Sequence, residues 1–489
     1  MSHAELALAN AVVNCHICQQ NEHRRRAHMS RIEHDLIGDL ELADTAYWGV
    51  HTQRAVENFP ISGRTIGACS ELVDALVAVK EACALANAEL GLLAPELADA
   101  IVKSAQKIRA GALHDHFVVD LIQGGAGTSS NMNANEVVAN LALEIMGKAK
   151  GDYGVLHPNE HVNLGQSTND VYPTALKIAL IFALRRLDVT MAELEAALTE
   201  RSQAFAGIIK MGRTQLQDAV PMTLGQEFAT FAQMIKDERR SIKAVEAELC
   251  ILNLGGTAIG TGITADPRLG ELSTRHLSQI TGLELSLAQD RIAATQDTGA
   301  LVAVSSALKR LAIKLSKIAN DLRLLSSGPR AGLGDIELPA RQAGSSIMPG
   351  KVNPVIPEVV NQVCFEVIGA DLTVTMAAEG GQMQLNAFEP VIFASIERSI
   401  RHLESAMQTL SRNCISGITA DAAKLRATVE HSIGIVTALT PYIGYVRATE
   451  VALEAHRTDD GVANIVLREK LMDQSKLDAA LAASAMVGS

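Results

Sequence analysis

Leu301-Val302-Ala303-Val304-Ser305-Ser306-Ala307-Leu308-Lys309-Arg310-Leu311-Ala312-Ile313-Lys314-Leu315-Ser316-Lys317-Ile318-Ala319-Asn320-Asp321-Leu322-Arg323-Leu324-Leu325 decides the fold class. Within it Leu301, Val304, Leu308, Leu311, Leu315, Ile318, Leu322 and Leu325 recur in alternating steps of three and four. A helix turns once in about 3.6 residues, so these side chains share one face; a strand alternates every second residue instead. Leu180, Leu184, Leu187, Met191, Leu194 and Leu198 repeat the pattern, as do Ile392, Ile396, Ile400, Leu403, Met407, Leu410 and Cys414. A further periodic segment spans about residues 226–252, and another opens near Pro357, a residue suited to a first helical turn. Helices of about 30 residues are about 45 Å long. Five of them must cover one another's apolar stripes, which predicts a long central bundle. The Leu301–Leu325 and Ile392–Cys414 faces are wide enough to suggest association between subunits, with one thick monomeric bundle as the alternative.

Composition agrees with helix. Of 489 residues only 13 are proline and 3% are aromatic. At about 150 residues per domain, the length suggests about three domains. Charged residues make up 20% and apolar ones 48%, an ordinary globular balance. The net charge of −12 argues against nucleic acid as the main partner, because tracking phosphates needs a basic face. It leaves a small anionic substrate open, since a few local cations suffice to hold one. The seven cysteines are scattered and read as mostly buried free thiols in a reducing compartment. Cys15 and Cys18 have metal-ligand spacing but no second pair follows them.

No apolar stretch of the roughly 18 residues that span a membrane stands out. Leu6–Val13 precedes Arg24-Arg25-Arg26, the reverse of a secretory signal's order, so a cytoplasmic location and no membrane contact are expected. The expected division is residues 1–28 as an extension outside the fold, an N-terminal helical domain over 29–167, the bundle over 168–423 and a small helical domain over 424–489.

Four polar or glycine-rich stretches interrupt the helical pattern: Gly124–Asn133, Gln166–Asp170, Gly212–Asp218 and Gly344–Pro354. Singly, such clusters are usually caps and turns. Together they are rich in hydroxyls and amides, the neutral donors that bind carboxylates, with Lys351 and Arg213 as cationic anchors. The fourth, Gly344-Ser345-Ser346-Ile347-Met348-Pro349-Gly350-Lys351-Val352-Asn353-Pro354, has the glycines and prolines of a mobile, shaped lid. A serine in such a loop can act as a nucleophile, or as a base if backbone N–H groups stabilise its alkoxide. No GxSxG elbow surrounds it, which weakens hydrolase chemistry.

The Gly344–Asn353 loop resembles the GSSxMPxKxN signature of the aspartase/fumarase superfamily, and the other three stretches resemble its further signature regions in order. The resemblance extends from about Arg31 onward. Arg31-Ile32-Glu33, Tyr47–Thr52, Lys210–Pro221 and Val355–Val363 are most similar to the ammonia-lyase branch. It implies an all-α fold of three domains whose five-helix bundles pack into a homotetrameric twenty-helix core, with each active site built from loops of three subunits. It implies reversible β-elimination of ammonia from L-aspartate to give fumarate, with Ser345 as the base at Cβ. Thr128, Ser167, Thr168 and Ser346 match the β-carboxylate pocket. Thr214, Lys351 and Asn353 match the α-carboxylate anchors, and Asn169 and Thr128 the contacts to the amino group. It implies no cofactor and no metal ligand, and is compatible with activation by a divalent cation.

Gln215 stands where many superfamily members have histidine. An amide cannot transfer a proton at neutral pH, and expelling hydroxide as water needs a donor, whereas an ammonium leaves carrying its proton. Gln215 and Ser167-Thr168-Asn169 therefore favour an ammonia-lyase over a fumarate hydratase, the alternative in this fold. A second alternative is a structural protein, as in lens, against which Ser345, Lys351 and Asn353 all argue. His157-Pro158-Asn159-Glu160 resembles a secondary dicarboxylate-binding turn of fumarases, although a plain turn explains it as well.

Overall fold

The computed structural model describes residues 30–458 and 460–482. The readings of residues 1–28 and of the Cys15–Cys18 pair lie outside them. The chain forms two compact units. Unit 1 is built from the described parts of Met1–Arg185, Lys243–Ser306 and Ala370–Arg398; unit 2 from those of Arg186–Ile242, Ala307–Gly369 and Ser399–Ser489.

The fold is mostly helical, and the expectation of an all-α chain needs one correction. Three two-stranded β pairs are present: antiparallel β1 (Ser30–Asp35) with β2 (Gly38–Ala43), antiparallel β3 (Ile209–Thr214) with β4 (Gln217–Thr223), and a short parallel pair, β5 (Ile251–Leu252) with β6 (Ser286–Leu287). Strand pairing joins residues that helical periodicity does not register. The Gly212–Asp218 stretch, read as a loop, is the end of the β3–β4 hairpin.

Unit 1 carries α1 (Val50–Asn58), α2 (Ser70–Glu89), α3 (Pro95–Arg109) and α4 (Thr128–Ile145), with α7 (Leu269–Thr281) and α8 (Arg291–Gln296) later in the chain. The N-terminus of α1 is held by two buried carboxylates. Glu136 accepts the N–H groups of Gly49, His51 and Thr52 at 2.8, 3.0 and 3.1 Å, and Glu33 accepts that of Val50 at 2.9 Å. A Cβ at residue 49 would lie 2.6 Å from a Glu33 carboxylate oxygen, so a larger residue there would have to displace these carboxylates.

The long helices are α5 (Thr168–Ala204), α6 (Leu224–Leu249), α9 (Gly299–Leu325), α10 (Val355–Glu379) and α11 (Glu389–Asn413). All the seam residues quoted above for α5, α9 and α11 are buried, Cys414 just past α11 included. The Leu301–Leu325 and Ile392–Cys414 faces are thus covered within the chain and do not themselves call for a partner. The apolar residues left exposed lie elsewhere. On α10, Phe365, Leu372 and Met376 are 61%, 62% and 66% exposed, with Val359 and Ile368 beside them.

By length and composition alone α10 is apolar enough to cross a membrane, where the sequence reading found no such stretch; the core helix of a soluble protein meets the same test. Two polar groups on α10 are buried and bonded. Asp371 accepts the Ser305 hydroxyl at 2.8 Å, and Asn361 donates to Ser316 Oγ at 2.9 Å.

In unit 2 the β3–β4 hairpin is anchored by Ile209 and Met211, which join Val429, Ile435, Leu439, Val451, Ile465 and Val466 of the C-terminal helices in one apolar cluster. Lys210 is buried against Glu227 at 2.7 Å and Asp335 at 3.2 Å. This embedding leaves the hairpin turn to project, with Gln215 and Leu216 both exposed.

Candidate active site

In unit 1, the turn Gly125-Ala126-Gly127 runs through left-handed backbone, with φ of +86°, +55° and +86°, into the first residue of α4, Thr128. At Gly127 a Cβ would lie 2.3 Å from the buried Tyr172 ring of α5, so that ring packs directly on the backbone of this turn. Thr128 donates its hydroxyl proton to Gly125 O at 2.7 Å and therefore presents lone pairs. Ser167, Thr168 and Asn169 form the N-terminus of α5. The Ser167 hydroxyl accepts the Asn169 N–H at 3.3 Å, and the Thr168 hydroxyl accepts from Asn131 Nδ2 at 3.2 Å. Asn169 donates its amide nitrogen to Ala258 O at 2.7 Å, which leaves Oδ1 outward.

Polarity is thereby sorted. Thr128 and Asn169 offer acceptors, which suit an ammonium. Ser167 and Thr168 accept internally and keep a proton to give, which suits a carboxylate.

Sequence reading passed over two supports of this turn. The first is the glycine-rich segment 253–262. Asp170, buried, accepts the N–H groups of Gly255 and Thr257 at 3.0 and 2.9 Å, and Asn253 donates to Asn169 O at 2.9 Å. Burial pushes the Asp170 carboxyl up to about 6, against the N–H groups that favour its charge. The run Gly255-Gly256-Thr257-Ala258-Ile259-Gly260-Thr261-Gly262 was the available signal.

The second is Lys80 on α2, with no exposed surface, which donates to Asn131 Oδ1 at 2.6 Å, Asn163 Oδ1 at 2.9 Å and Gln166 Oε1 at 2.9 Å. Burial lowers its pKa to about 7, opposed by Cys83 and Asp170. Its signal was a charge four residues after Leu76, on the apolar face of a helix.

In unit 2, Ser345 Oγ accepts two backbone N–H groups of its own loop, from Ile347 at 3.2 Å and Met348 at 2.9 Å. The loop is closed at its base. Gly344 N–H donates to Lys351 O at 2.8 Å, and Asn353 Nδ2 donates to Gly344 O at 2.5 Å. Gly344 is required by proximity rather than by φ, since a Cβ would lie 2.3 Å from Lys351 O; Gly350 supplies the positive φ, +78°. Ser346 and Lys351 are exposed, and among the described residues Lys351 makes no ion pair. Arg213, the other cation singled out in the sequence, is committed to the buried Asp335 at 2.7 Å. Thr214 and Gln215 end the β3–β4 hairpin, where Gln215 and Leu216 sit at φ +54° and +64°. Such angles cost a non-glycine residue about 1–3 kcal/mol. Among the described residues no hydrogen bond joins Thr214 or Gln215 to the Ser345 loop.

At residue 157 the histidine ring caps its own turn, accepting the N–H groups of Asn159 and Glu160 at 3.0 and 3.3 Å, a local role. Among the described residues no group of three or more His, Cys, Asp or Glu side chains could hold a metal ion.

Residues 38–369 match the family described as lyase, and residues 435–488 match the fumarase C C-terminus. An aspartate ammonia-lyase of Pseudomonas canavaninivorans is 55% identical over 92% of this chain and 95% of its own length. That of Escherichia coli K12 is 51% identical over 92% and 94%. A crystal structure of a fumarate lyase:delta crystallin from Brucella melitensis bound to cobalt superposes with a TM-score of 0.91, at 51% identity over 93% of this chain and 99% of that one. A class II fumarase from Schistosoma mansoni superposes with a TM-score of 0.87 at 32% identity, over 93% and 98%.

Proposed function

The chain belongs to the lyase family that contains the aspartate ammonia-lyases, and we infer from that membership that it catalyses the reversible conversion of L-aspartate to fumarate and ammonia. Fumarate hydratase is the weaker reading: the fumarase is 32% identical, the ammonia-lyases above 50%. Gln215 points the same way, because it supplies no proton to a leaving hydroxide.

The observation that carries the mechanism is the Ser345 hydroxyl accepting two backbone N–H groups. Preorganised donors aimed at an oxygen stabilise negative charge on it, and a serine so held can serve as the base. Ser345 takes the Cβ proton of aspartate. The electron pair left at Cβ delocalises onto the β-carboxylate, which becomes a dianion. Ser167, Thr168 and Ser346 donate to it there. Thr214, Lys351 and Asn353 anchor the α-carboxylate, Lys351 through its exposed ammonium. Thr128 and Asn169 accept from the substrate ammonium, which departs with its proton as the double bond of fumarate forms. The resemblance also matched Thr128 to the β-carboxylate pocket; its hydroxyl, already donating to Gly125 O, favours the ammonium.

The active assembly in this reading is a homotetramer with a twenty-helix core, each site drawing loops from three subunits. The exposed apolar stripe of α10 supports it. A cytoplasmic location belongs to the same reading. The test offers the purified protein L-aspartate and malate separately and follows fumarate by its ultraviolet absorbance. Fumarate from aspartate is expected; fumarate from malate alone would overturn the assignment.

A further inference from the structure

The ammonium of Lys80 has three N–H donors and no acceptor. All three are spent on amide oxygens, those of Asn131, Asn163 and Gln166. Three carbonyl oxygens around one nitrogen suit an ammonium, because a neutral amine would aim its lone pair at one of them. The cation therefore decides which way each amide faces. Asn131, with its oxygen held, must turn its nitrogen away, and that nitrogen donates to Asn163 Oδ1 at 3.2 Å and to Thr168 Oγ1 at 3.2 Å. Asn163 and Gln166 likewise give their nitrogens to backbone carbonyls, of Gln166 at 3.2 Å and Val162 at 2.9 Å. Thr168 Oγ1 is thus a hydrogen-bond acceptor on its inner side. Among the described residues it has no acceptor for its own proton.

We propose that Lys80 is a positioning residue for substrate: through Asn131 it fixes the Thr168 hydroxyl so that its proton is presented to the dicarboxylate. The proposal rests on the placement of Thr168 in the carboxylate pocket. Lys80 does not touch substrate. Its charge is read out two hydrogen bonds away, as the direction in which one hydroxyl donates.

Three variants test it, alone and combined, with initial rates on L-aspartate. Thr168→Val should lower kcat/KM roughly 10- to 100-fold, the worth of a hydrogen bond to a charged group, with kcat falling because charge builds on the carboxylate it donates to. Parental kinetics in Thr168→Val would remove Thr168 from the pocket and so fail the functional reading, whatever Lys80 does. Asn131→Asp keeps an oxygen for Lys80 but has no N–H to give Thr168, whose proton then turns inward to the new carboxylate. It should lower kcat/KM over the same range, kcat included, and adding Thr168→Val to it should cost nothing more. Lys80→Met should show the same loss and the same lack of additivity. If Lys80→Met does not fold, Asn131→Asp decides alone. Where Thr168→Val is impaired, a parental kcat/KM in Asn131→Asp, or losses that multiply in the double variant, would overturn the proposal. A merely structural role for Lys80 would lower the melting temperature without that non-additivity.

Discussion

Replacing Ser345 by alanine removes one oxygen, and the structure says what goes with it. Two backbone N–H groups converge on that oxygen at 2.9 and 3.2 Å, while the loop itself is closed through Gly344, Lys351 and Asn353. The base is lost but the loop's own ties are not. A positioned general base contributes about 10²–10⁴-fold, and each preorganised donor to a developing oxyanion about 10²–10³. Both effects act through the same atom, so kcat should fall by at least about 10³, or about 4 kcal/mol at roughly 1.36 kcal/mol per factor of ten. KM should stay near the parental value, because the anchors are other residues. Stability should change by under about 1 kcal/mol, since the two released N–H groups belong to exposed residues and can bond water. Initial rates of fumarate formation at saturating aspartate give kcat, and a denaturant titration gives stability. More than a tenth of parental kcat in a folded Ser345→Ala protein would refute the reasoning.

Four further outcomes are expected. Lys351→Met should weaken apparent aspartate affinity roughly 10- to 100-fold through loss of a charge-assisted anchor, and an unchanged KM would remove it from that role. Gly127→Ala should destabilise by roughly 2–4 kcal/mol, combining a positive φ with a Cβ placed 2.3 Å from the buried Tyr172 ring, as chemical denaturation would measure; a parental midpoint would show that the ring yields freely. Burial pushes the Glu389 carboxyl from 4.5 up to about 8, only partly offset by Lys177, so the folded state binds more protons than the unfolded one between those values and stability falls as pH rises through them. Glu389→Gln should therefore melt higher than the parent at about pH 8 and converge with it toward about pH 5, and a gap independent of pH would count against the buried carboxyl. Inactive Ser345→Ala and Thr128→Ala proteins, dissociated and reassociated together, should recover part of the parental activity if subunits share sites; hybrids that form yet stay inactive would confine each site to one chain.

Much of this protein is local and so legible along the chain. Steps of three and four set the helical period and the buried face of α5, α9 and α11, because a side chain's direction on a helix depends only on its position in the turn. The loop around Ser345 was visible too, since Gly344, Gly350 and the prolines act on their own backbone. What the chain could not say was which neighbour covers a face or answers a donor. The Leu301–Leu325 seam looked destined for another subunit and is covered within the chain, whereas the exposed stripe falls on α10. Arg213 read as a substrate anchor until Asp335, 122 residues further on, was found holding it. The β3–β4 hairpin escaped a helical reading because its pairing is fixed by backbone partners across a turn and by an apolar cluster drawn from the distant C-terminal helices. Hydroxyls and amides bond in either direction, and sequence leaves that direction open. Lys80 settles it for Asn131, Asn163 and Gln166, and through Asn131 for Thr168, only once folding has carried an ammonium out of water to a place where three amide oxygens accept its hydrogen bonds.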